Sequence, residues 1–158
     1  MARESSKGKG LALLACPVAA LALECGAVLL ALDRVQAQQF AMAANDVAAA
    51  VKLRQQEHEL HDLRDSIEDR AALLLAQTAS GAAFQIALVV DAVSALADYE
   101  RALSRHERNA LARRSVRCLF SVLKFLDWRR ELDQRMERAM SSYAPPYIDP
   151  FAAREAAS

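Results

Sequence analysis

Between Ala27 and Ala144 the chain contains one glycine, Gly81, and no proline. Residues that strain a helix or lack its N–H donor are confined to Gly8, Gly10, Pro17, Gly26, Gly81, Pro145, Pro146 and Pro150. So sparse a supply leaves no Gly-rich loop to cradle a phosphate. Aromatics make up 6% of the 158 residues. Much of the 54% apolar content is alanine, which points to closely approaching helices with thin packing layers rather than a thick mixed α/β core. Neither sign of charge is in excess: 20 Lys and Arg face 20 Asp and Glu. No global field therefore draws in nucleic acid or an anionic surface.

The three cysteines, Cys16, Cys25 and Cys118, form no Cys-x-x-Cys and have no His at ligand spacing. An odd count of this kind argues against a disulfide framework or a zinc site, and for reduced, buried thiols in a cytoplasmic protein. There is no Gly-x-Ser-x-Gly elbow and no P-loop. His58-Glu59-Leu60-His61 sets its histidines three apart, one residue short of the zincin spacing. A looser metal site on one helix face would use His58, His61, Asp62 and Asp65, but a solvated polar face is the stronger reading. None of His58, His61 or His106 follows an acid by three residues, as a di-iron carboxylate site requires. Arg117 beside Cys118 could activate an exposed thiol, yet Val116–Phe120 reads as helix core or flank. No catalytic residue, cofactor or enzymatic activity is expected.

What is present is helix. Long stretches rich in Ala, Leu, Arg, Gln and Glu predict an all-α protein, a three- to four-helix bundle of long helices. The expected layout is a polar, disordered segment over residues 1–10, a single helical domain over 11–142 and a flexible, extended tail over 143–158. Within the domain the pattern predicts an apolar helix over about 17–42, an acidic amphipathic helix over about 47–77, an apolar helix over about 81–106 and a basic amphipathic helix over about 108–141.

Leu11–Leu32 is apolar except at Pro17, Glu24 and Gly26, and is long enough to reach across a bilayer at ~1.5 Å per residue. Glu24 favours a soluble helix beginning at Pro17, because a lone carboxylate in mid-membrane costs roughly 2.5–3.5 kcal/mol. Insertion in the inner membrane is the alternative. Leu13-Leu14-Ala15-Cys16 looks like a lipoprotein cleavage box, but the apolar run before it is too short for a signal peptide.

Asn45-Asp46 offers the first helix break, and Thr78-Ala79-Ser80-Gly81 the clearest turn, with Ser80 as N-cap. Leu53, Leu60, Ile67 and Leu74, with Leu63 beside them, form a narrow seam on the second helix; Glu57, His58, His61, Asp62, Asp65, Glu68 and Asp69 lie on its other side. The third helix is the most apolar and is expected at the core, where Asp91 needs a partner or a gap to solvent. No Gly or Pro supplies a turn near Arg105–Asn109.

Charge is segregated along the chain, the acids dominating 41–100 and the bases 101–140. The simplest account lets the halves offset one another within the bundle or between subunits. The functional candidates are Arg113, Arg117, Lys124, Trp128, Arg135 and Arg138 on the last helix. Interleaved acids (Glu107, Asp127, Glu131, Asp133, Glu137) speak against nucleic acid and for a protein-facing or solvated surface. Trp128 is either a packed side chain or an exposed anchor, and Tyr143–Phe151 either a docking peptide or a cover for the helices.

Pro17–Asp33, Leu60–Ile67 and Thr78–Gln85 resemble segments of a loose group of short, uncharacterised helical proteins of GC-rich bacteria. That resemblance covers about the middle half of the chain and implies helices but no activity. Together these features predict a non-enzymatic helical protein that works through protein–protein contact and self-association, with a homo-oligomer or another protein as partner. Membrane attachment through Leu11–Leu32, and anion or nucleic-acid binding through the arginine stripe, are the alternatives.

Overall fold

A computed structural model describes residues 16–42, 47–98, 102–126 and 149–151. The chain is all-α: α1 spans Pro17–Ala41, α2 Val47–Ala72, α3 Ala79–Ala97 and α4 Arg105–Phe125, with no strand among the described residues. α1 packs on α2, α3 packs on α4, and further contacts join α1 to α3 and α2 to α4.

Antiparallel pairing of α1 and α2 follows from their polar clasps. Gln39 Nε2 and Gln36 Nε2 donate to Glu57, at 3.0 and 3.4 Å, holding that carboxyl below its ordinary value. Farther along, Glu24 on α1 meets Arg70 on α2 at 3.7 Å. Both groups are exposed, so this pair adds little stability.

The main core joins Leu21, Cys25, Val28 and Leu32 of α1 to Ile67, Ala71 and Ala72 of α2, with Leu88 of α3 and Cys118 of α4. Alanines at the α2 contact allow the close approach that the composition suggests. Seven buried positions on α1 and only four on α2 show how narrow the apolar stripe of α2 is. The α2 seam is buried at Ile67, half-buried at Leu53, Leu60 and Leu74, and absent at Leu63, which is 44% exposed.

α2 stops at Ala72, short of the expected residue 77, and the reason is tertiary. Gln85 of α3, fully buried, donates through Nε2 to Ala71 O at 2.8 Å and to Leu74 O at 2.9 Å. These two bonds tie the backbone at and just beyond the end of α2 to α3. Ser121 Oγ of α4 accepts from Ala76 N at 2.7 Å, fixing the same turn. Thr78, not Ser80, caps α3, accepting from Gly81 N at 3.2 Å. Gly81 lies in the first turn because a Cβ there would sit 2.9 Å from Cys16 Sγ.

The separation of α3 from α4 uses neither glycine nor proline. Ser104 caps α4: its hydroxyl accepts from Glu107 N at 3.2 Å, and Glu107 Oε2 accepts from Ser104 N at 2.7 Å. This reciprocal capping box starts α4 at Arg105, ahead of the expected 108, and α3 ends at Ala97 instead of 106. From the tail, Phe151 is buried, and Asp149 reaches Lys124 Nζ at 3.4 Å and accepts from Phe151 N at 2.9 Å. These residues are packed against α4, where the sequence suggested a flexible end.

Candidate functional site

Two surfaces stand out, one apolar and one basic. The apolar surface arises because α3 carries two heptad-like seams. Gly81, Gln85, Leu88, Ala92 and Ala95 recur at alternating steps of four and three and are buried. A second set, Ala79, Ala83, Ile86, Val90, Val93 and Ala97, follows the same alternation on the opposite side of the helix and is exposed. Ile86 is 46%, Val90 60% and Val93 54% exposed. The expected place of α3 at the core holds for the first seam alone, because only that seam faces the other helices. Asp91 lies on the exposed flank, near enough to Arg64 for its charge to act on that guanidinium.

α1 repeats the arrangement. Val18, Leu21, Cys25, Val28, Leu32 and Val35 are buried, while Ala20, Leu23, Ala27, Leu30, Arg34 and Ala37 form an exposed seam two residues out of phase. Leu23 and Leu30 are about as exposed as Val90. Apolar rows of this kind on an otherwise charged protein mark contact surfaces.

The basic surface is a groove between the C-terminal end of α2 and α4. Its lining is Asp69, Ala72, Leu73, Ala110, Arg113, Arg114 and Arg117, and its volume is about 240 Å³. Arg114 is fixed by two carboxylates, one of them in the groove lining: Nη1 donates to Glu68 Oε2, and Nη2 donates to Asp69 Oδ1 at 2.7 Å. Glu68 was expected among the exposed acids, yet it is buried. Burial pushes its carboxyl above the ordinary value despite the attraction of Arg114 and Arg64, whose Nε lies 3.4 Å away. Cys118 is also pushed up, to about 11, chiefly by burial, and so stays a protonated, unreactive thiol. For Cys16 burial is opposed by hydrogen bonds from Thr78 and nearby backbone, which hold the thiol below its usual value, but no surface of it is exposed.

Of the residues singled out in the sequence, Arg113 and Arg117 meet in this groove. Lys124 does not: it is engaged by Asp149 and lies 5.7 Å from the Phe151 ring centroid. Trp128, Arg135 and Arg138 lie outside the described residues. Arg114, the best-anchored arginine of the groove, went unnoticed because nothing local marks its pairing with acids 45 and 46 positions away. His58 Nε2 lies 3.6 Å from Asp62 Oδ2, both exposed, whereas Asp65 turns to Arg64 at 3.1 Å. His61, Asp62 and Asp65 consequently gather no ligand set with His58; among the described residues no three His, Cys, Asp or Glu converge on one point. Among the described helices, Ala79–Ala97, and not α1, is long and apolar enough to cross a membrane. Compared with known proteins, the chain matches no family model, no curated protein and no solved structure.

Proposed function

We propose that the chain is a non-enzymatic four-helix bundle that acts by protein–protein contact, and that its partner is a second copy of itself joined through α3. The observation carrying this reading is the bare seam Ala79-Ala83-Ile86-Val90-Val93-Ala97. Alternating steps of four and three place side chains in register for a partner helix with the same repeat. The residues flanking the seam, Ser80, Ala87 and Ser94 on one side and Ala82, Val89 and Leu96 on the other, carry no charge. Two copies therefore meet without like-charge repulsion, and a partner recognised by charge would find nothing to pair with. Alanines at both ends and larger β-branched residues at the centre make the row nearly symmetric about its middle. A two-fold pairing is then self-complementary, as an isologous dimer requires.

A second reading is attachment to the inner membrane, and the length and apolarity of Ala79–Ala97 favour it. Asp91 opposes it, since α3 would carry that carboxylate into hydrocarbon at a cost of roughly 2.5–3.5 kcal/mol. Light scattering on the full chain purified without detergent tests both. A particle of twice the 17.3 kDa chain mass supports the cytoplasmic dimer. A monomer overturns it, and recovery only in detergent turns the assignment to the membrane.

A further inference from the structure

Two arginines of the groove between α2 and α4 have no carboxylate partner among the described residues. Arg114 is neutralised by Glu68 and Asp69, and Lys124 by Asp149. Arg113 and Arg117 stand one turn apart and make no ion pair among the described residues, although both line the groove between α2 and α4. The geometry points to this groove as a binding site for a phosphoryl group, either free phosphate or a small phosphomonoester.

Charge is the first reason. Glu68 and Asp69 are both bonded to Arg114, and with Arg113 and Arg117 the cluster keeps a net charge of +1, which favours an oxyanion. Geometry is the second. Each guanidinium presents a planar fork that bonds two oxyanion oxygens at once, and charge-assisted bonds of that kind are roughly twice as strong as neutral ones. Arg114 already donates through Nε, Nη1 and Nη2 to two carboxylates, so the anion falls to Arg113 and Arg117. Size is the third. At about 240 Å³ the groove has room for a tetrahedral anion with a short ester arm. That volume is below the range of about 300–1,000 Å³ typical of drug-sized ligands. Ala72, Leu73 and Ala110 supply the apolar part of the lining.

Isothermal titration of the full chain at low ionic strength, with inorganic phosphate and separately with methyl phosphate, tests the site. Saturable one-to-one binding is expected, weakened about tenfold or more in Arg113→Gln/Arg117→Gln. The same titration of Arg105→Gln/Arg108→Gln, which removes two charges from α4 outside the groove, should show wild-type affinity. Tighter binding of the ester assigns the groove to a phosphorylated small molecule, and tighter binding of phosphate assigns it to the free anion. No saturation in the millimolar range by either probe overturns the inference. Equal weakening in both double variants also overturns it, because the charge of the helix and not the groove would then be responsible. Circular dichroism on each variant confirms that the helices are intact.

Discussion

A Cβ added at Gly26 meets no atom within 4 Å, whereas one added at Gly81 would come within 2.9 Å of Cys16 Sγ and 3.3 Å of Val18 Cβ. Both glycines are helical, so the same methyl group acts in opposite directions. Gly26→Ala should raise stability by about 0.5–1 kcal/mol through lost unfolded-state freedom. Gly81→Ala should lower it by about 1–3 kcal/mol through overpacking against buried neighbours. Urea denaturation reads both, and shifts of the same sign would contradict this packing. At Glu68 the issue is a proton. Burial lifts its carboxyl above the ordinary 4.5, so the folded chain holds that proton more tightly than the unfolded chain does. Its contribution is full below 4.5 and is lost as pH rises through the folded value. The stability of the wild type relative to Glu68→Gln should therefore decline as pH climbs from about 4 through the raised value. Melting temperatures of the two proteins across that range measure it; a difference that grows with pH would mean Arg114 and Arg64 outweigh burial.

α4 begins where it does because Ser104 and Glu107 exchange hydrogen bonds across its first turn. Ser104→Ala should cost about 1 kcal/mol and fray that end, with faster amide exchange at Glu107 and Arg108; unchanged exchange there would refute the cap. The signal was legible in the sequence as Ser-x-x-Glu, although a search for Gly and Pro alone misses it. The all-α class was legible too, since the composition of the middle of the chain favours little else. The end of α2 was not. No residue near Ala72 stops a helix by itself; the stop comes from Gln85 and Ser121, which lie far off in sequence. Nor does the apolarity of α3 tell which of its two seams is covered, because both repeat with the same alternation. In the groove, Arg113 and Arg117 could be picked out as part of a basic stripe, but the placement of Arg114 and the burial of Glu68 depend on how α2 and α4 meet.

At the scale of the molecule, the charge split along the chain is partly resolved where α4 crosses α2, through Arg114 with Glu68 and Asp69. Among the described residues, that internal pairing leaves the two arginines of the groove without an acid and the apolar rows on α1 and α3 uncovered. The rows are the larger liability in water, and the proposed pairing of α3 with α3 of a second copy would cover the one that carries no charge. Sedimentation equilibrium of the wild type beside Val90→Asp tests this most directly, with circular dichroism to confirm that the variant keeps its helices. Val90 is 60% exposed, so a carboxylate there is harmless in an isolated chain but is buried, unpaired, in the paired seam. A wild-type dimer and a folded, monomeric variant are the expected result. A wild type that sediments at the single-chain mass, or a Val90→Asp protein that dimerises as tightly as the wild type, would contradict it.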